Sequence, residues 1–202
     1  MINPEQTEMK PPQDVLDIIL RDKRTHRFFS NRQIDLNVLH KLYDAVKFGP
    51  TASNLCPMRI VFVQSPEQKQ HVISAAAEGN KAKIDSAPVT AIIAHDTAYH
   101  QHIEELSPYM DAEAFRKQDA AKLEKIAVEN SWLQAGYFIP AARALGLDCG
   151  PMSGFDKAKI DEAFFMHSSW RSDMLINLGY GLGEKLHPRG ARLPFEEACQ
   201  IL

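Results

Sequence analysis

Three apolar runs, Ile60-Val61-Phe62-Val63, Val89–Ala94 and Met174–Tyr180, constrain this chain more than any other feature. Each is too short for a buried helix and rich in β-branched residues, so each reads as a buried strand. Helical patterns lie between them. Val15, Leu16, Ile18 and Ile19 suit one face of a short helix from Asp14 that runs into Arg21-Asp22-Lys23-Arg24. Asp35 caps a second, where Leu36, Leu39, Leu42, Tyr43 and Val46 recur at helical spacing until Gly49-Pro50 stops it. Ser65-Pro66-Glu67 opens a third that runs to Ala77 and ends at Gly79. The longest pattern spans Asp119–Leu145, with Leu123, Ile126, Leu133, Tyr137 and Ala141 near one face, a kink at Pro140 and a stop at Gly146. Gly150-Pro151 reads as a turn, Asp156–Phe165 as a short helix, and Pro194 as the start of another; residues 95–118 show no clean period. Strands separated by helices predict a layered sheet covered by helices on its faces.

Composition narrows the class. A chain of 202 residues is long enough to bury one full core. Residues 13–202 read as a single domain behind a flexible, polar and proline-bearing arm, residues 1–12. A net charge of −3 gives no field for gripping a nucleic acid across a broad face. The longest stretch without a charged residue, Asn130–Ala142, is well short of the ~20 residues that a membrane-spanning helix needs. The first residues hold no apolar core of a secretory signal, and Cys56, Cys149 and Cys199 form no CxxC pair. The expectation is a soluble, cytoplasmic domain with no nucleic-acid or membrane partner.

Some motifs fail on spacing. Gly179, Gly181 and Gly183 follow a strand, but a dinucleotide fingerprint needs glycine where Glu184 stands, and Pro188 blocks the helix that should follow. Gly150–Gly154 carries Met152 where a nucleophile elbow needs serine. His95, His100 and His102, with Asp96 and Glu104, lack a helical i,i+4 pair or a cysteine and read as surface histidines on a loop, with no metal expected.

Five patches could carry chemistry, each with a plainer reading beside it. Lys23-Arg24-Thr25-His26-Arg27 offers planar forks and a hydroxyl to a phosphate, or is a solvated charge run at a helix C-terminus. Gly49–Pro57 packs hydroxyl and amide donors into a loop that could face a planar polar ligand, or bonds only its own backbone. Asn80 and Lys83 follow the expected stop at Gly79. In Gly150–Asp156, glycine lets a flat ligand lie against the chain. Arg189 and Arg192 form a second basic pair.

The order of these patches resembles the FMN-dependent nitroreductase family over nearly the whole chain from Asp14. ALGLDCGPMSGFD, DEAFF, LINLGYG and RLPFEEA narrow the likeness to the small branch containing malonic semialdehyde reductase and its NAD(P)H-nitroreductase relatives. The resemblance implies an α+β fold, a three-layer α/β/α sandwich around a mixed central sheet, in an intertwined homodimer with FMN at the interface. By motif, Lys23, Arg24, Thr25, His26 and Arg27 would line the phosphate, ribityl and pyrimidine side of FMN. Pro50, Thr51, Ala52 and Asn54 would come from the partner chain, and Asn80 and Lys83 would reach the pyrimidine edge. Ser153 and Gly154 would sit toward N5, and Arg189 and Arg192 would return to the phosphate. Cys56 and Met58 stand where the wider family often has Gln and Trp, and Ser153 replaces its usual Glu.

The implied activity passes hydride from NADH or NADPH through flavin N5 to a small electrophile, with malonic semialdehyde to 3-hydroxypropanoate leading and nitroaromatics or quinones as the alternative. A flavin carrier or sensor without turnover, and a cofactor-free structural homodimer, are the rivals from other classes. No residue is expected to act as a nucleophile, and no proton donor stands out.

Overall fold

Strand β2 (Val89–Asp96), buried at every residue, is the spine of the structure, a computed structural model that describes residues 13–202. The expected arm lies outside the described residues. β2 pairs on one side with β1 (Met58–Val63) and on the other with β4 (Trp170–Gly179), which in turn pairs with β3 (Asp148–Met152). The order is β1-β2-β4-β3, and every ladder is antiparallel. The parallel component of the expected mixed sheet is one bridge, Thr25 to Cys149, where the chain entering the domain runs along the outer edge of β3.

Side-chain alternation along β2 builds two cores. Val89, Ala91 and Ile93 face α1 (Leu36–Val46) and α4 (Ala120–Ala144). Ile92 and Ala94 face α2 (Pro66–Ala75), α3 (Glu78–Ser86) and α5 (Lys157–Phe165). Two helical layers thus enclose the sheet. Asp35, Ser65, Asp119 and Asp156 cap α1, α2, α4 and α5 by accepting from backbone N–H groups of the first turn. The last helix is the four-residue α6 (Phe195–Ala198).

Three local expectations need correction. Gly150-Pro151 lies inside strand β3, which tolerates proline because β3 is the last strand of the sheet and Pro151 has no N–H to offer a neighbour. Gly150 is required there, since a Cβ would lie 2.5 Å from the His26 carbonyl oxygen. Gly79 stops nothing: it lies within α3, and the break falls at Ala76 and Ala77, held extended by an Ala76–Phe155 bridge and an Ala77 N–H bond to Gly154 O at 3.0 Å. His95 is no surface residue. It is buried in β2 with Nδ1 2.9 Å from Asp173 Oδ1, and among the described residues no three metal-ligating side chains gather.

Residues 95–118 form short helical turns, Tyr99–His102, Ile103–Leu106 and Ala112–Arg116, around a small core of Leu55, Tyr99, Ile103, Ala112 and Ala127. No helix among the described residues is long and apolar enough to cross a membrane.

Candidate functional site

After the turn Asp17–Arg21, the chain lays Lys23–Phe29 along the β3 edge, pinned by the His26 N–H bond to Cys149 O at 3.0 Å and by a Phe29–Gly181 bridge. The far end of the chain returns beside it. Together they enclose a cleft of about 520 Å³ lined by Arg21, Lys23, Arg24, Thr25, Arg27, Arg143, His187, Arg189 and Arg192, with no carboxylate among the described residues of its wall.

Charge compensation is partial. Lys23 pairs with Asp148 at 3.2 Å and Arg21 with Asp17 at 2.8 Å. The other arginines meet neutral groups: Arg24 donates to His187 O, Arg143 to Ile19 O at 3.0 Å, Arg189 to Lys23 O at 3.4 Å, and Arg192 to Gly190 O and Ala191 O. Arg27 meets the His187 imidazole, and the buried Nε of Arg143 has no partner among the described residues. Guanidinium groups crowded into one concavity, most of them without a carboxylate partner among the described residues, make an anion site.

A second cluster adjoins the first through Arg27. Burial, and then the Arg27 charge, hold the Lys83 amine below its ordinary 10.5. Lys83 Nζ donates to Asn80 Oδ1 at 2.9 Å, and Asn80 Nδ2 donates to Gly154 O at 3.0 Å. A Cβ at residue 154 would lie 2.9 Å from Asn80 Nδ2, so glycine lets the loop approach α3. Ser153 and Gly154 are exposed, and the Gly154 N–H takes no protein acceptor among the described residues. Cations, an oriented amide and a free backbone donor thus form a strip from the cleft to the end of β3.

His26 stands apart from its neighbours. It is buried against Gly181, where any Cβ would overlap its ring, and its Nε2 is 3.6 Å from Asp148 Oδ1. Its side chain lines an adjoining hollow that shares Lys23, Arg24 and Arg143 with the cleft and has Asp22 and Asp148 in its wall.

The loop carrying Pro50, Thr51, Ala52 and Asn54 does not meet the cleft of its own chain. It enters β1, whose Met58 faces His95 at the far end of β2, whereas the cleft lies along β3 near Gly179: opposite edge, opposite end. Its backbone is unusual. Ser53, Asn54 and Cys56 have φ of 48°, 55° and 43°, the only positive values at non-glycine residues among those described. Left-handed non-glycine residues cost about 1 kcal/mol or more each and persist where their surroundings over-determine them. Here Ala52 N–H donates to Asn130 Oδ1 at 2.7 Å, Asn54 Nδ2 to Leu106 O at 2.8 Å, Ser107 Oγ to Ser53 O, and Met58 N–H to Gln134 Oε1 at 2.9 Å.

Sequence reasoning missed Arg21, Arg143, His187, Asn130 and Gln134. Arg143 was legible only as a cation in the last turn of a helix, and His187 as a neighbour of Arg189. The buried amides broke an apolar pattern and gave no signal of their own. Cys149 is chemically quiet, its thiol pushed up to about 12 by burial.

Against this geometry, the Nitroreductase family matches residues 20–180. A Ralstonia nicotianae protein named "Putative NADH dehydrogenase/NAD(P)H nitroreductase" is 46% identical over 188 residues, 93% of this chain and 96% of its own. Two solved structures share the fold at 20% identity. One, a nitroreductase from Exiguobacterium sibiricum in complex with FMN, has a TM-score of 0.82 over 95% of this chain and 98% of its own. The other, an NAD(P)H:FMN oxidoreductase from Staphylococcus epidermidis, has a TM-score of 0.83 over 97% and 99%. Family match, fold and an anion cleft built from both ends of the chain agree: this chain belongs to the nitroreductase family.

Proposed function

We propose that the protein is an FMN-dependent oxidoreductase that takes hydride from NADH or NADPH and delivers it to a small electrophile, with malonic semialdehyde, reduced to 3-hydroxypropanoate, as the leading substrate. The observation that carries the cofactor is the arginine-rich cleft: among the described residues its wall holds no carboxylate, and Arg24, Arg27, Arg143, Arg189 and Arg192 meet no carboxylate partner, which suits a phosphate monoester. Arg24, Thr25, Arg27, Arg189 and Arg192 would hold the phosphate and ribityl chain, with Lys23 neutralised by Asp148. Asn80 and Lys83 suit the pyrimidine edge, and the Gly154 N–H suits N5.

Bound FMN supplies reversible hydride exchange at N5. The protein's part is electrostatic and positional. Lys83 and Arg27 hold positive charge where negative charge gathers on reduction, and Asn80 is fixed by Lys83 on one side and Gly154 on the other. Donor and acceptor use the same face in turn, so the kinetics are ping-pong, and neither Cys56 nor Ser153 acts as a nucleophile. The substrate reading rests on the branch resemblance in residues 144–156, 161–165, 175–181 and 192–198, which contribute to β3, the Gly154 loop, α5, β4 and the tail. The names of the relatives favour a second reading, in which nitroaromatics or quinones accept the hydride.

We also propose an intertwined homodimer. Residues 191–202 are exposed throughout, Leu193, Phe195, Ile201 and Leu202 among them. The outer edge of β1 and an apolar groove of about 480 Å³, lined by Leu36, Tyr43, Phe62 and Trp170, offer them a seat on a second copy. The same pairing would bring the Pro50–Asn54 loop to the partner's flavin. Three free cysteines suit a reducing cytoplasm.

Purified protein should be yellow, and NADH or NADPH should bleach it without oxygen; colour that neither donor bleaches leaves a carrier or sensor. Arg24→Ala should weaken FMN on the order of a hundredfold; full retention would move the phosphate elsewhere. A higher kcat/KM on nitroaromatics than on malonic semialdehyde would reverse the substrate order.

A further inference from the structure

We propose that Asn130 and Gln134, two buried amides one turn apart on α4, are positioning residues for the flavin site of the second copy, acting through the left-handed loop Thr51–Cys56. This rests on the flavin and dimer reading above.

A helix packed on a sheet gains most by burying apolar side chains, yet α4 buries Asn130, Ser131 and Gln134 in succession. Ser131 bonds to Asp173 and Ala94 O in the sheet. The two amides serve the loop instead, each accepting one main-chain N–H, Ala52 at its start and Met58 just past its end. Asn130 is itself anchored, its Nδ2 donating to Ile126 O at 2.9 Å.

The helix sets the spacing. Residues i and i+4 are about 6 Å apart along a helix axis, whereas the six peptide units from Ala52 to Met58 would span about 20 Å if extended. Tying both ends to neighbouring turns of α4 forces the loop to double back, and Ser53, Asn54 and Cys56 take left-handed backbone where it turns. Glycines would make the same connection without strain. The chain instead keeps side chains at Ser53 and Asn54, exposed and held in one shape. The loop lies far from the cleft of its own chain, so a fixed shape can serve a flavin only in the partner.

Asn130→Ala should weaken FMN binding about tenfold and shift the visible spectrum of bound flavin, because a loosened loop presents its donors in many geometries. Asn130→Asp, which keeps an acceptor for the Ala52 N–H but loses the donor to Ile126 O, should restore only part of the affinity. Ser53→Gly relieves the backbone, so the Tm of the FMN-free protein should stay level or rise while FMN affinity falls several-fold. A merely structural role would move the two together. Ser53→Gly decides the matter if Asn130→Ala does not fold: wild-type FMN affinity and spectrum in the variants that fold would overturn the proposal.

Mixed dimers test the crossing. Arg24→Ala chains paired with Asn130→Ala chains should recover one wild-type site per mixed dimer, while a chain carrying both changes paired with wild type should have none. The reverse result would show that the loop acts within its own chain. The flavin reading itself fails separately, by a wild-type protein that binds no FMN or by an Arg24→Ala variant that keeps it.

Discussion

Lys83 shows how the site can be read from one side chain. Its amine is held below the ordinary 10.5, first by burial and then by Arg27, which is the signature of a cation waiting for a negative partner. The folded chain therefore releases this proton at a lower pH than the unfolded chain does. Between those two pKa values the unfolded state binds more protons, so the stability of the FMN-free protein rises with pH through that window. At neutral pH the charged amine is a burden. Lys83→Gln removes it, so the variant's stability relative to wild type should fall as pH climbs from 7 toward 10.5, measured by urea unfolding of FMN-free protein. A pH-independent difference would show that Arg27 and burial do not act on this amine in solution.

Asn80 and Lys83 were legible as residue types in sequence, but the reason for their position was not. Gly79 looked like a stop, whereas the break depends on a bridge between Ala76 and Phe155, 79 residues further along the chain. Local propensity carries no record of so distant a partner.

Among elements, α4 matters most. The sequence placed it correctly from Asp119 to Leu145 but assigned its inward face by apolar spacing. Leu133 is 44% exposed, whereas Asn130, Ser131 and Gln134 are buried. The misreading has a physical cause. A polar residue can face inward when it finds a specific acceptor or donor, and those partners come from β1, β2, β4 and the loop before β1.

Asp173 is one such partner. It sits where the β2–β4 register shifts, turned inward to accept from Ser131 Oγ at 2.8 Å and to meet His95 at 2.9 Å. Asp173→Ala would leave Ser131 only the Ala94 carbonyl and His95 with neither ring nitrogen partnered among the described residues, and should cost about 1–3 kcal/mol of unfolding free energy. A loss below 1 kcal/mol in urea titration would mean that water takes over the carboxylate's role. β3 was missed for the opposite reason: its Gly-Pro pair is a turn signal that an edge strand can absorb.

At the scale of the molecule, the layered α+β architecture was legible because strand runs and helical runs alternate and keep their periods. Half the site was legible too, since Arg24, Thr25, Arg27, Arg189 and Arg192 do line one cleft. In the dimer proposed above, the other half would belong to an assembly, which one chain's periodicity cannot express. Removing residues 187–202 is the sharpest whole-molecule test. The sheet and both cores lie outside the deleted segment, so far-ultraviolet circular dichroism should be nearly unchanged. Sedimentation should show a monomer, and the protein should be colourless. A yellow, dimeric truncation would remove the tail from both roles.

The cleft draws its wall from residues 20–27 and again from residues 187–192, with Arg143 between them in the chain. The four strands and both cores are therefore complete in the sequence before the segment that finishes the pocket begins. Under the function proposed above, vitamin-derived cargo would be held only once that last segment has docked, and a polypeptide cut before residue 187 should be a folded but empty product.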